Sequence, residues 1–239
     1  MKMLEEQYVC LKCGYNVINF YPELCPFCGA PNDNFITAEE GTRKYRIVSS
    51  KVNDKIIRLI SYPSLGLKHS AYCLKVEGKN IWIDCPSIFS KDLEPMDKII
   101  FTHNHFLGAS NLYRSYYTAF IWIHKKDSEH PLTAHHPFDK KFEQEFKIMG
   151  IQAFHIDGHT PGFTIYIFEK TLFICDYVLL RNQKFILNPY GPSKPTMEGA
   201  KELNNFIKNK DINEVCGFNY VMDYQKWETR FLKLISYGY

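Results

Sequence analysis

Four cysteines fall within a 19-residue stretch near the start of the chain, as Cys10-Leu-Lys-Cys13-Gly and Cys25-Pro-Phe-Cys28-Gly. A Cys-x-x-Cys turn aims two thiolates at one point. A second such turn, 11 residues further on, closes a tetrahedron of sulfur around a metal ion. The glycine after each pair lets backbone amides turn toward the sulfurs and stabilise their charge. In a reducing compartment so tight a cluster signals metal ligation and not a disulfide frame. The other four cysteines, Cys73, Cys85, Cys175 and Cys216, stand singly in apolar segments and read as small buried side chains.

Two further segments carry histidine. One reads Lys98-Ile-Ile-Phe-Thr-His103-Asn-His105-Phe-Leu107-Gly108. The other reads Phe154-His155-Ile-Asp157-Gly-His159-Thr-Pro-Gly162, with Phe173-Ile-Cys175-Asp176 after it. In each, a hydrophobic run ends in histidine within a polar, glycine-containing loop. His103 and His105, two apart at a strand end, can both turn toward one point. Imidazole is the commonest neutral metal ligand, and a carboxylate nearby completes a facial set. Read alone, His-x-His is equally compatible with surface histidines. His124, His135 and His136 match no ligand pattern and read as solvated loop or edge positions. His155 reads as packed, and Asp127 and Tyr177 as residues near enough to line a pocket.

The elements that must position these residues follow from the apolar pattern. Strands are predicted over 55–60, 71–76, 80–83, 98–101, 120–124, 153–156, 163–168, 171–174 and 214–217, each short and rich in Ile, Phe, Tyr or Val. Helices are predicted over 108–117, 140–149, 196–209 and 225–235. Strands come first as hairpins and then alternate with helices. That order predicts a layered α/β domain with its chemistry in the loops at strand ends. The stretch 31–44 reads as a linker. A small metal-stapled domain over 1–40 and an α/β domain over 41–239 are therefore expected.

The chain has 239 residues, 45% of them apolar and 23% charged, enough for an ordinary core. No apolar run approaches the roughly 20 residues of a membrane-spanning helix. The opening MKMLEEQYVC has acids where a secretory signal would have a basic start, so a soluble, cytoplasmic protein is expected, with no membrane partner. The net charge of +3 hides a split: residues 1–40 hold two basic and six acidic residues, and the rest is basic. Such a split suggests that head and body attract each other, within a chain or across a homodimer. No basic run interleaves with aromatics, so nucleic acid is not an expected partner.

Cys-Leu-Lys-Cys-Gly-Tyr followed by Pro-Glu-Leu-Cys-Pro-Phe-Cys-Gly-Ala-Pro resembles the short rubredoxin domain of rubrerythrins, from Tyr8 to Phe35. The resemblance implies one iron on Cys10, Cys13, Cys25 and Cys28, passing electrons, with zinc as the alternative. The series IWIDCP, IIFTHNH, GHTPG and LFICD is similar to the successive motifs of the metallo-β-lactamase superfamily, over most of residues 55–220. That resemblance implies an αββα sandwich. It matches His103, His105 and His159 to the ligands of a first metal, Asp176 to the carboxylate that bridges two metals, and Asp84 to an acid that supports the site. The ligands of the second metal fall on Leu107, Gly108 and Phe218, none of which can ligate through a side chain. The resemblance thus implies one iron or zinc, not two.

Three histidines and a carboxylate suit zinc or non-haem iron. The rubredoxin-like head tilts the reading toward redox chemistry on a small-molecule substrate, either a small oxidant or a sulfur species, with a redox protein as an expected partner. The alternative is a mononuclear zinc hydrolase of thioesterase or glyoxalase II type with a structural zinc ribbon, in which Asp176 orients water.

Overall fold

The computed structural model describes residues 6–236. The chain divides into two compact units, Met1–Phe142 and Glu143–Tyr239.

The first unit opens with a three-stranded antiparallel sheet in the order β2-β1-β3, built from β1 (Gln7–Cys10), β2 (Asn16–Ile18) and β3 (Phe35–Thr37). The stretch expected as a linker is therefore not one. Phe35 and Ile36 pair with Cys10 and Val9. Thr37 then caps α1 (Ala38–Lys44) by accepting from the Glu40 amide at 3.1 Å, while the Glu40 carboxylate accepts from the Thr37 amide at 3.0 Å. Thr-x-x-Glu ahead of a short run is a helix start signal, and composition alone concealed it.

A seven-stranded sheet follows, in the order β10-β9-β8-β7-β6-β5-β4. Its strands are β4 (Arg46–Asn53), β5 (Ile56–Tyr62), β6 (Ala71–Val76), β7 (Lys79–Ile83), β8 (Lys98–Ile100), β9 (Phe120–His124) and β10 (Lys140–Phe142). The first four pair antiparallel and the last four parallel. The helices α2 (Ser110–Tyr117) and α3 (Lys125–Ser128) flank β9 in sequence. Parallel pairing sets the ends of β7, β8 and β9 side by side, and Asp84, His103 and His124 lie at or just past those ends.

The head meets the loops that join these strands through apolar and backbone contacts. Val9 and Ile36 of the head cluster with Leu65 and Ile88. Gly66 sits so close to the Cys13 backbone that a Cβ there would fall 2.3 Å from the Cys13 carbonyl carbon. Asn16 donates to the Ser87 carbonyl at 3.0 Å, and the Tyr15 hydroxyl donates to the Leu132 carbonyl. His136 donates from Nε2 to the Asn16 carbonyl at 3.2 Å, and its other nitrogen is buried with no partner among the described residues. Neither His136 nor His124 is a solvated edge residue: they are 7% and 3% exposed.

The second unit is a six-stranded sheet in the order β11-β12-β13-β14-β17-β18 beside a separate hairpin, β15-β16. Its strands are β11 (Phe146–Ile148), β12 (Ile151–His155), β13 (Thr164–Phe168), β14 (Thr171–Cys175), β15 (Val178–Arg181), β16 (Lys184–Leu187), β17 (Glu214–Gly217) and β18 (Val221–Asp223). Every residue of β13 and β14 is buried, so both faces of these strands are covered. Two helices complete the unit, α4 (Ser193–Ile207) and α5 (Tyr224–Ser236).

The helix expected over 140–149 does not form. Phe142 and Phe146 stand at helical spacing, but Phe142 pairs with His124 in the parallel ladder and Phe146 pairs with Ala153. Met149 and Gly150, both at positive φ (49° and 79°), turn β11 into β12, a hairpin signal that outweighs the spacing.

Acid should loosen the docked head. Burial pushes His136 down from 6.5 to about 4, so it stays neutral in the fold while the unfolded chain takes up a proton. Stability is then complete above pH 6.5 and falls as the pH drops from 6.5 through 4, by about 3 kcal/mol in all. Denaturant titrations across this range, set beside His136→Gln, check it: the substituted protein should lose this part of the slope, and identical slopes refute it.

Candidate metal centres

The four head cysteines converge as expected. Cys10 and Cys28 sulfurs are 3.8 Å apart, Cys13 and Cys25 sulfurs 3.6 Å, and all four lie within 4.8 Å of one another. Metal–sulfur bonds of about 2.3 Å give a tetrahedron with edges of about 3.8 Å, so this cradle fits an ion bound by four thiolates. Backbone amides aim at the sulfurs: Tyr15 N–H lies 3.4 Å from Cys13 Sγ. Hydrogen bonding from the thiols of Cys13 and Cys25 pulls Cys10 down toward the thiolate. The same proton-sharing with Cys10 pushes Cys13 up. A cation among the sulfurs replaces these shared protons.

His103 is fully buried just past β8. Its Nδ1 lies 2.9 Å from the Thr102 hydroxyl, which in turn donates to Asp84 at 2.9 Å. The Thr102 amide also donates to Asp84, at 2.9 Å. A buried carboxylate at the end of this relay makes Nδ1 the protonated nitrogen and leaves Nε2 as the ligand. Asp84 thus supports His103 through Thr102, a residue the motifs do not single out. It does so from a left-handed backbone (φ 59°) that Asp tolerates. His105 is half-buried, its ring edge-on to His103 at 4.6 Å and to Phe27 of the head at 5.0 Å.

In the second unit, His159 and Asp176 are both buried, with His159 Nε2 3.5 Å from Asp176 Oδ2. Cys175 ends β14 in a left-handed turn (φ 43°) where the ladder to β17 shifts register, and this turn redirects Asp176. Asn188, buried after β16, was not among the expected residues. Its amide nitrogen lies 2.7 Å from Asp176 Oδ2 and 3.2 Å from His159 Nε2, and its carbonyl accepts from the Tyr190 amide. One amide group thereby touches both side chains, a role that only contact in space reveals. Tyr177 is fully buried, and its hydroxyl lies 2.9 Å from the Asp157 carbonyl and 3.0 Å from the Thr196 carbonyl. Asp127 is likewise buried, within α3. His155 is half-buried and donates to the Pro161 carbonyl at 2.8 Å.

Among the described residues, two groups could hold a metal ion: the four cysteines, and His103, His105, His159 and Asp176.

The three positions that the resemblance matches to second-metal ligands are closed by packing. Leu107 is fully buried in the core with Trp82, Ile99 and Phe101. Gly108 has φ 51°, and a Cβ there would lie 2.3 Å from the Pro86 carbonyl oxygen. Phe218 is 8% exposed and donates its amide to the Cys175 carbonyl at 2.6 Å.

Two outcomes follow for substituted proteins. Leu107→Asp, Gly108→His and Phe218→His together should not gain a metal, and Leu107→Asp alone should cost on the order of 3 kcal/mol or more in denaturant titrations. A stable triple substitution with an added metal equivalent refutes this. Asp84→Asn should weaken zinc binding at the histidine site about 10–100-fold in chelator competition, and unchanged affinity removes Asp84 from the relay.

No family model matches the sequence, and no curated protein matches it. Solved structures do. The DIM-1 metallo-β-lactamase superposes with a TM-score of 0.63 at 14% identity, over 80% of this chain and 98% of that one. A flavo di-iron protein variant from Thermotoga maritima gives 0.60 at 16%, over 80% of this chain and 61% of that one. TTHA1623, in a di-iron-bound form, gives 0.55 at 17%, over 69% and 94%. No helix among the described residues is long and apolar enough to cross a membrane. The chain has the α/β fold of the metallo-β-lactamases, with a four-cysteine, rubredoxin-like cluster ahead of it.

Proposed function

We propose that this protein is a redox metalloprotein. Cys10, Cys13, Cys25 and Cys28 hold an iron of rubredoxin type, and His103, His105, His159 and Asp176 hold a single metal that it serves. The observation that carries the reading is the presence of both ligand groups in one chain, four sulfurs and three imidazoles with a carboxylate. The naming of solved neighbours as flavo di-iron and di-iron-bound proteins supports iron and redox chemistry. Iron on four thiolates supplies one-electron storage; a metal on three imidazoles and one carboxylate supplies open coordination positions for oxygen, nitric oxide or a sulfur species.

The protein's own groups prepare both sites. The Thr102–Asp84 relay keeps His103 Nε2 unprotonated, and Asn188 orients His159 and Asp176. Leu107 and Phe218 put apolar side chains where a second cation would need charge, which favours a small uncharged ligand over a phosphodiester or a β-lactam. The alternative, a zinc hydrolase of thioesterase or glyoxalase II type with a zinc-stapled head, draws support from the sulfur spacing, which suits zinc equally well.

Metal analysis and visible spectroscopy of anaerobically purified protein decide between the two. The expected result is one head iron per chain with thiolate-to-iron absorption that bleaches on reduction, and one further metal in the body. His105→Ala should remove most of the body metal and leave the head absorption intact. A head that holds only zinc and refuses iron on reconstitution sinks the redox reading. Two body metals in the unmutated protein sink the ligand set.

A further inference from the structure

The head meets the body through rings as well as backbone. Tyr15 lies 6.0 Å from His136 and Phe20 5.3 Å from His135, and neither histidine belongs to a ligand group. Phe27 differs. Its ring lies 5.0 Å from that of His105, edge-on at 67°, and His105 is one of the four residues that could hold the body metal. Phe27 also belongs to the other centre, as the third residue of the Cys25-Pro-Phe-Cys28 turn. Its amide donates to the Cys25 sulfur, and its carbonyl leads directly into Cys28. Tyr15 stacks on the Phe27 ring at 5.9 Å and 8°, and the Tyr15 hydroxyl donates to the Leu132 carbonyl. One side chain therefore starts at the cysteine cradle and ends against a histidine of the second ligand group.

An electron crosses a bonded path far faster than an empty gap, because tunnelling falls steeply with every ångström that lacks bonds. From the Cys25 or Cys28 sulfur to the His105 ring, covalent bonds or one hydrogen bond cover the whole way except the step from ring to ring. We propose that Phe27 is the electron route between the two metal sites. A ferrous head gives up one electron and becomes ferric; a ferric body ion receives it and becomes ferrous. No bond forms or breaks and no proton moves. Phe27 itself is never oxidised: its π orbitals only bridge the gap. A one-electron donor, a redox protein or a small reductant, refills the head. The inference rests on the redox reading above, with iron at both sites, and deepens it by naming the path.

The test uses the full chain, anaerobic, oxidised and loaded with iron at both sites. Rapid mixing with dithionite, at less than one electron per chain, bleaches the thiolate-to-iron absorption of the head. Passage of the electron to the body then restores the colour in a first-order phase whose rate does not depend on protein concentration. Phe27→Leu, which stays apolar but removes the ring, should slow this phase severalfold while iron content and the midpoint potential of the head stay the same. Phe27→Tyr, which keeps the ring, should retain the unmutated rate. Phe20→Leu, which removes the ring beside His135, should leave the rate unchanged. Should Phe27→Leu fail to load the head, Phe27→Met takes its place with the same expectation. An unmutated rate in the ringless variant overturns the route, as does equal slowing in Phe20→Leu or a chain with iron at both sites whose colour never returns. A chain that refuses iron at either site overturns the redox reading instead, a result that the metal count gives before any kinetics.

Discussion

Four thiolates crowded within 4.8 Å of one another repel unless a cation sits among them. The head organises around that requirement. Its three strands are three or four residues long, too short to bury a core. Cys10, Cys13 and Cys25 are buried in one cluster with Tyr15, Val17, Ala30 and Phe35. A metal held there would stand in for a hydrophobic interior. What the cysteine turns carry outward, Gly14, Tyr15 and Phe27, becomes the surface by which the head meets the body.

The body follows another physical rule. Strands such as β13 and β14 are buried throughout, so the polar residues that chemistry needs collect where the strands end. Asp84, Thr102 and His103 follow β7 and β8; Cys175 and Asp176 close β14. The cost of burying charge there is met locally: Thr102 gives both its amide and its hydroxyl to Asp84, and Asn188 donates to Asp176. Packing fills the segment next to His105. Leu107 joins the core and Gly108 lets the backbone pass under the Cys85 and Pro86 carbonyls.

The metal ligands were legible because their spacing is itself the chemistry. Cys-x-x-Cys and His-x-His bring donors together over distances the backbone alone sets, and Gly-His-Thr-Pro-Gly marks a turn. Strands 71–76, 120–124 and 214–217 were legible for a similar reason, since consecutive bulky apolar residues have few alternatives once buried. Local evidence failed where a partner strand decided the outcome. The segment 140–149 has helical spacing but lies beside β9 and β12, which recruit it as two strands. The hairpin β15-β16 turns on Asn182 and Gln183, both at positive φ without a glycine to announce it.

The sequence by itself therefore determined which side chains could bind metal and the α/β fold that carries them, because these depend on residue type and short spacing. Tertiary structure alone decided what holds the ligands. Thr102 and Asn188 act through contacts in space: Thr102 donates to a buried acid 18 positions away, and Asn188 donates to Asp176. It also decided how the head binds the body. Close contact of Gly66 with Cys13 and of Val9 with Leu65 and Ile88 depends on shape, which no sum of charges records.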